Sequence, residues 1–360
     1  MKVCDLPYRR VSEEEIREGI GKVLSRIREA KSADEILQAR EEYLALLLEY
    51  QTNSALAYMR YSVNTVDEFY VAENAYYDEI GPMVQNAGVQ YAAALLDSPF
   101  REELEEKLSP VLFQSMEVER KAVSEAILED MVEENRLVRQ YSDLMSGMEF
   151  SFRGETLPRA MLMKYARSED RAVRRECYAV LGRGLESHRQ ELDGIFDRLV
   201  HVRDRMAKKM GYRNFVELGY YRMGRLCYDE EKVRIFRENI LRDVVPAVSA
   251  LRKENAARLG ISDYHLYDDG IIIPGGDPKP CGKEAIFRAA KEMYHAMGAE
   301  TGAFIDRMLE NEAFDVDARK NKWAAATAPI FRSSVSPLSW PTSTGRPGTW
   351  TLSPTRPAMP

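Results

Sequence analysis

Residues 12–27 read S-E-E-E-I-R-E-G-I-G-K-V-L-S-R-I, and this stretch indicates the fold class. Its first four residues, Ser12 to Glu15, match the S-x-x-E pattern of a helix capping box. The apolar residues that follow recur at helical spacing and therefore lie on one face of a helix. They are Ile16, Ile20, Val23, Leu24 and Ile27. The stretch predicts an amphipathic helix that packs on a helical core.

Helical periodicity continues through most of the chain. A second helix carries Ile36, Leu37, Tyr43, Leu44 and Leu47, and a third runs from Thr65 until Pro99 breaks it. Further helices are predicted at about 117–141, 171–185, 188–210, 229–259 and 283–310, and Ser168 is a predicted cap. Residues 148–153 alternate in hydrophobicity before Gly154, which predicts a short strand and turn. We predict a mainly α fold.

The composition changes abruptly after Trp323. Residues 1–323 hold every Asp, Glu and Lys of the chain, whereas residues 324–360 are mostly Pro, Ser, Thr and Ala and carry only three arginines. Such a segment cannot bury enough apolar area to offset its chain entropy, so we predict a disordered tail. A frameshift is the second explanation, and the genetic code offers a test of it.

A shifted frame takes the third base of each codon with the first two bases of the next. Trp and Met have single codons, so Trp323 followed by Ala must give Gly, and Trp350 followed by Thr must give Asp. From Trp323 to Pro329 the shifted frame permits W-G-G-G-Y-C-T. From Trp340 to Pro360 it permits A-N-F-N-G-T-x-G-D-V-D-x-L-T-H-E-A-G-H-A, which contains H-E-x-x-H.

On a helix, H-E-x-x-H places two histidines on one face to bind zinc, with the glutamate beside them as a general base. None of these residues is present in the chain. Thr355, Arg356 and Met359 stand about where the motif would be encoded. The shifted frame therefore predicts that a zinc site has been lost from the translated product.

Four runs in the unshifted part resemble oligoendopeptidase F, one of the thimet-oligopeptidase-like zinc metallopeptidases. They are residues 211–215 (G-Y-R-N-F), 264–268 (Y-H-L-Y-D), 276–280 (G-D-P-K-P) and 314–323 (F-D-V-D-A-R-K-N-K-W). The last run is the most specific, because in that family it leads into the W-G-G-G-Y-C stretch. The resemblance covers residues 1–323, a little over half of a full-length enzyme.

The resemblance implies a mostly helical fold around a deep channel, with one zinc held by two motif histidines and a downstream glutamate. It also implies cleavage of oligopeptides inside the cell. We expect three regions: an N-terminal helical lobe at 1–110, the truncated start of the catalytic domain at 111–323, and an out-of-frame disordered tail at 324–360. For this chain we predict no catalytic residue and no metal ligand, hence a catalytically dead polypeptide.

Charge and composition exclude several classes of protein. The net charge is −7, and without the three tail arginines the body carries −10, which disfavours sequence-independent nucleic-acid binding. The N-terminus M-K-V-C-D-L-P-Y-R-R lacks the apolar region of a signal peptide, and no stretch is long and apolar enough for a membrane span. The four cysteines form no C-x-x-C pair, so reduced thiols are expected. We expect a cytoplasmic location and no membrane partner.

The remaining candidate residues fit structural roles better than chemical ones. The four histidines, His188, His201, His265 and His295, are too far apart for a metal pair at i and i+4. Glu133 and Glu134, like Glu105 and Glu106, are interpreted as solvated helix faces. The glycine-rich run 270–276 lacks the arrangement of a phosphate loop.

Two functional alternatives stay open. Tyr220 and Tyr221, with Arg222 and Arg225, could line a peptide channel, although packing of an aromatic-rich helix explains them as well. The whole chain could also be a non-enzymatic helical interaction protein whose tail is genuine. The nucleotide sequence around codon 323 distinguishes this second hypothesis from the frameshifted peptidase.

Overall fold

The structure, a computed structural model, describes residues 2–274 and 282–323. The chain divides into two compact units. Of the described residues, the larger unit holds 9–145 and 188–240, and the smaller unit holds 2–8, 146–187, 241–274 and 282–323. The predicted tail at 324–360 lies outside the described residues. The predicted lobe boundary near residue 110 stays a prediction.

The predicted mainly α class is confirmed. In chain order the elements are α1 (Glu13–Glu29), α2 (Ala33–Val63), α3 (Glu68–Leu96), α4 (Arg101–Leu108), α5 (Pro110–Ala122), α6 (Leu128–Gly147), β1 (Glu149–Phe152), β2 (Glu155–Pro158), α7 (Arg159–Leu162), α8 (Arg171–Ser187), α9 (Arg189–Lys209), α10 (Phe215–Arg222), α11 (Glu230–Asn239), α12 (Val245–Arg258), α13 (Lys283–Met297) and α14 (Ala299–Glu310). A π-turn, Ile240–Val244, precedes α12. Within the described ranges, no helix is long and apolar enough to cross a membrane.

The larger unit is built around the apolar face of α1. Ser12 caps this helix as predicted, since its Oγ accepts a hydrogen bond from the Glu15 amide at 3.1 Å. All five apolar residues of the predicted face are buried. They pack with Ile36 and Tyr43 of α2, with Tyr91 of α3 and with residues of α4 and α5. The opening stretch of sequence therefore supplies the centre of this core.

The start of α3 differs from the prediction. The predicted helix runs from Thr65, whereas α3 starts at Glu68; Asp67 caps it by accepting from the Tyr70 amide, and Phe69 is 55% exposed. The buried side of the first turns instead carries Glu73, which pairs with Arg10, and Tyr77. Polar contacts with the segment before α1 thus decide which face of α3 is buried, and apolar periodicity does not reveal such contacts.

Pro82 lies buried in the middle of α3, where it has no amide hydrogen to donate to the carbonyl of Asp78. The side-chain amide of Asn135, on α6, donates to that carbonyl at 2.9 Å. The Asp78 carboxylate in turn accepts from Arg139 of α6 at 2.7 Å. Two α6 side chains therefore support the helix at its proline.

Two predicted helices are each divided in the structure. The predicted helix at 117–141 breaks between α5 and α6, where Ser124 is extended and the neighbouring Val123 and Ile127 enter a second core cluster. The predicted helix at 283–310 breaks at Gly298 into α13 and α14. A Cβ on Gly302 would lie 2.6 Å from the His295 ring, so this glycine permits the close approach of the two helices.

The smaller unit contains an antiparallel hairpin packed on α8. The predicted strand is β1, and it pairs with β2, which the sequence did not indicate. The turn has Arg153 and Gly154 at positive φ. Phe150 packs against Gly184 of α8, where a Cβ would lie 2.3 Å from the ring. The predicted cap at Ser168 is wrong: α8 starts later, and the Asp170 side chain accepts from the Ala172 amide.

Several helices bury no residue at all in the described chain. α11, in the larger unit, and α12 and α13, in the smaller unit, are of this kind. The π-turn and α12 display apolar side chains at helical spacing that are 40% to 68% exposed: Leu241, Val244, Val245, Val248 and Leu251. Because most helical stability comes from packing an apolar face, α12 lacks its main source of stability here.

The core of the larger unit predicts where an N-terminal fragment can end. Phe113 and Met116 of α5 are 1% and 6% exposed in the same cluster as α1. We expect a fragment of residues 1–123 to unfold cooperatively and residues 1–109 to melt at a lower temperature, since deleting a buried aromatic side chain costs about 3–5 kcal/mol. Thermal unfolding followed by circular dichroism measures the difference. Equal melting temperatures would instead support a boundary at 110.

Candidate functional site

The segment 314–323 is organised around the carboxylate of Asp315. Arg319 donates to both of its oxygens, at 2.9 and 2.7 Å, and Lys322 donates to one of them at 2.8 Å. These hydrogen bonds, led by the one from Arg319, lower the pKa of Asp315 to about 2. A carboxylate with such a pKa is ionised throughout the physiological range. Asp315, Arg319 and Lys322 therefore stabilise the conformation of the segment itself.

The same segment is tied to other elements of the smaller unit. Asp317 pairs with Lys283 of α13 at 2.6 Å, and Lys320 pairs with Glu149 of β1 at 2.9 Å. The rings of Phe314 and Phe287 lie 5.2 Å apart. The segment that ends at Trp323 is thus anchored on two sides.

Asp268, the last residue of the run 264–268, is fully buried in the smaller unit. Arg171 donates to both of its oxygens at 3.0 Å, and Arg174 donates to one at 3.0 Å. The backbone amide of His265 donates as well, at 3.0 Å. Burial acts to raise the pKa of Asp268, but these bonds outweigh it and hold the pKa below its usual value. This run therefore anchors a turn on α8.

The run 211–215 shapes the start of α10 in the larger unit. Gly211 has a φ of +83°, a conformation that favours glycine. The hydroxyl of Tyr212 donates to the carbonyl of Lys121 at 2.8 Å, and Asn214 caps α10 by accepting from the Val216 amide at 2.9 Å. Three of the four runs that carry the resemblance therefore make contacts that stabilise the fold. The run 276–280 lies outside the described residues.

Glu134 corrects an interpretation made from the sequence. It was expected on a solvated face, but its side chain is 7% exposed and accepts from Arg203 at 2.7 Å and Arg222 at 2.6 Å. Burial acts to raise the pKa of Glu134, and the two arginines more than offset this, so its pKa is lowered. Glu133 is more exposed and pairs with Arg205 at 2.6 Å. The two neighbouring acids therefore form separate ion pairs and no acid–base couple.

The four residues proposed to line a peptide channel do not act as one group. Arg222 is committed to Glu134, and the hydroxyl of Tyr221 donates to Glu217 at 3.3 Å. Among the described residues, Arg225 contacts an aromatic ring and not a carboxylate: its guanidinium carbon lies 4.3 Å from the ring centroid of Tyr220. It also lies 5.2 Å from the centroid of Tyr228, a residue that the sequence analysis missed. Residues 225–228 lie between α10 and α11 and are not helical, so no helical spacing in the sequence indicates this contact.

Each of the four histidines pairs with an acidic side chain on its own or an adjacent element. The pairs are His188 with Glu191 (3.2 Å), His201 with Asp197 (3.4 Å), His265 with Asp263 (3.6 Å) and His295 with Asp306 (3.0 Å). Over residues 2–274 and 282–323, no three His, Cys, Asp or Glu side chains are grouped so that they could hold a metal ion. The described residues do not fit a catalytic zinc.

The described part of the glycine-rich run has a packing role. A Cβ on Gly270 would lie 3.3 Å from the carbonyl oxygen of Ala166. Ile271 is buried, and its carbonyl accepts from the Asn255 side chain at 3.0 Å. Gly275 and Gly276 lie outside the described residues. The contacts of Gly270 and Ile271 need no bound phosphate to explain them.

This architecture is similar to that of known peptidases. Residues 4–123 match the family described as Peptidase M3 N-terminal domain. The solved structure of an oligoendopeptidase F from Bacillus anthracis strain Ames matches 92% of the chain with a TM-score of 0.89 and 35% identity. PZ peptidase A, solved with an inhibitor, matches 89% with a TM-score of 0.87 and 34% identity. No protein of curated function matches the sequence.

A further oligoendopeptidase F, solved at 3.1 Å, matches 90% of the chain with a TM-score of 0.88 and 33% identity. The chain spans 61%, 58% and 57% of the B. anthracis enzyme, this second oligoendopeptidase F and PZ peptidase A, respectively.

The Glu134 pair yields a stability prediction. Replacing Glu134 with Gln leaves two arginines without their buried counter-ion, so E134Q should lower the free energy of unfolding by about 3 kcal/mol at pH 7. E133Q is the matched control, and for this more exposed pair we expect a loss below about 1 kcal/mol. Urea unfolding measures both changes.

The pH dependence follows from the lowered pKa of Glu134. The stabilisation is fully present above the unfolded-state pKa, near the usual Glu value, and is lost as the pH falls through the lower folded-state pKa. The difference between the wild-type chain and E134Q should therefore shrink on acidification below about pH 4. A difference that stays constant down to pH 2 would contradict the ionic origin.

Proposed function

Over its N-terminal part the chain belongs to the oligoendopeptidase F type of the peptidase M3 family, and from this premise we propose that its gene specifies a zinc-dependent oligoendopeptidase of the cytoplasm. Its substrates would be short peptides. We propose further that this polypeptide leaves the family's reading frame after Trp323 and lacks the zinc motif, the general base and the oxyanion groups. The chain as it stands is then catalytically inactive.

One observation carries the frameshift. The shifted frame permits W-G-G-G-Y-C-T directly after the run 314–323, and the permitted strings include every residue that the single codons of Trp and Met force. The fraction of the chain matched by the relatives, 89% to 92%, agrees with a match that extends about as far as Trp323. This supports a change of frame at that codon more than a genuine tail of unusual composition.

The exposed helices give separate support. A helix whose apolar residues are 40% to 68% exposed, as at Leu241 to Leu251, is expected when the elements that cover it are not part of the translated product. The chain spans only 61% and 58% of two of these relatives. The second hypothesis, a helical interaction protein, draws on the same exposed face, which a partner protein could cover. It does not account for the zinc motif that the shifted frame permits.

The residues present define what this chain can do. The described histidines each pair with a carboxylate, and the described part of the chain groups no three metal-binding side chains. We therefore derive no catalytic step for the chain as given. Its proposed role in the complete enzyme is to hold the approach to the zinc motif through the ion network of Asp315 and its anchors on α13 and β1.

The nucleotide sequence decides the frameshift directly. We expect four consecutive G in the true gene around codon 323, or an open frame past the present stop that encodes H-E-x-x-H. Insertion of one G with the downstream frame should then yield together a more soluble protein, bound zinc and cleavage of short peptides. A repaired, zinc-loaded protein that cuts no short peptide would overturn the peptidase assignment even if the frame is right.

A companion prediction concerns the chain as it stands. The purified polypeptide should hold far less than one zinc per chain and hydrolyse no peptide, because catalytic zinc requires three positioned protein ligands. Elemental analysis after dialysis measures the metal, and the repaired gene product is the positive control. About one tightly held zinc per chain would contradict the prediction.

A further inference from the structure

We propose that Arg225, with Tyr220 and Tyr228, forms a binding site for a carboxylate of an oligopeptide. The identification of a peptide as the source of this carboxylate rests on the proposed function above. The carboxylate site itself rests on three features of the larger unit: an arginine without an acidic partner, two aromatic rings that hold it, and partial burial.

The first feature is the set of unused donors on Arg225. Within residues 2–274 and 282–323 no carboxylate lies within salt-bridge distance of its guanidinium, whereas three other arginines near it in sequence or in the same unit are paired. Arg203 and Arg222 bind Glu134, and Arg205 binds Asp130 at 2.7 Å. An arginine carries five N–H donors and no acceptor, so it is suited to two parallel hydrogen bonds with one carboxylate.

The second feature is the aromatic support. The guanidinium carbon lies 4.3 Å from the Tyr220 centroid and 5.2 Å from the Tyr228 centroid. A cation–π contact holds the charge against the ring and occupies none of the N–H donors. The side chain is thereby positioned before a ligand arrives, which lowers the entropic cost of binding.

The third feature is the position of Arg225 in the chain. It follows Gly224, which has a φ of +65° and turns the chain after α10. The Arg225 residue is half-buried, and Tyr228 is 48% exposed. A partly shielded cation binds a carboxylate more strongly than one in free solvent, because screening is weaker there. The site is therefore both reachable and partly desolvated.

Isothermal titration calorimetry on the full chain tests the site. The probes are an N-blocked hexapeptide of Ala and Gly with a free C-terminal carboxylate, the same peptide amidated, and an amidated peptide with one internal Glu. The variants are R225Q, R225K and the control R237Q, which removes one charge from an exposed arginine of α11. Circular dichroism confirms that each variant is folded.

We expect R225Q to weaken binding of the free-carboxylate peptide by about tenfold or more, and R237Q to change it by less than about twofold. R225K should weaken binding by an intermediate factor, since lysine keeps the positive charge but lacks the planar set of donors that binds both carboxylate oxygens. Amidation should weaken wild-type binding as much as R225Q does and should have no further effect in R225Q. If the amidated peptide with an internal Glu binds as tightly as the free-carboxylate peptide, the site recognises acidic side chains. If it binds as weakly as the plain amidated peptide, the site recognises the peptide C-terminus.

Two results would overturn the proposal: no measurable binding of either carboxylate peptide to the wild-type chain, or equal affinity in the wild-type chain and R225Q. Neither result bears on zinc binding or cleavage by the repaired gene product. Conversely, if the repaired protein cleaves no peptide, the peptidase assignment is wrong, but a carboxylate site measured by calorimetry still stands. The two proposals therefore fail separately.

Discussion

A buried carboxylate held by two basic side chains is the interaction on which both units depend. Asp268 joins Arg171 and Arg174 in the smaller unit, and Glu134 joins Arg203 and Arg222 in the larger one. These partners lie far apart in sequence, 97 residues for Asp268 and Arg171 and 88 for Glu134 and Arg222. Removal of the carboxylate in either place would leave two cations facing each other in a partly dry environment.

The helix faces were predictable because apolar periodicity is a local signal. The face of α1 follows directly from the spacing of Ile16, Ile20 and Ile27, and the structure buries all three. The burial of Glu134 was not predictable, since its two partners lie in α9 and α10 and no pattern within α6 announces them. The same holds for the first turns of α3, where an ion pair with Arg10 selects the buried side.

Resemblance identified the runs near 211, 264 and 314 without explaining them. Their contacts now do so: a glycine at positive φ, a buried aspartate that binds two arginines of α8, and an aspartate that holds Arg319 and Lys322. Each of these roles depends on neighbours that spacing in the sequence cannot supply. The distinction between Arg222 and Arg225 is of the same kind, because only the surroundings separate a committed arginine from an available one.

The proline of α3 bears on the order of events during synthesis. The carbonyl of Asp78 finds its donor in Asn135, 57 residues later in the chain. While α3 leaves the ribosome, that carbonyl can be satisfied only by water, and the later arrival of α6 lets it be buried. On the nascent chain α3 therefore lacks this support at Pro82 until α6 has been translated, whereas the core around α1 needs no residue of α6.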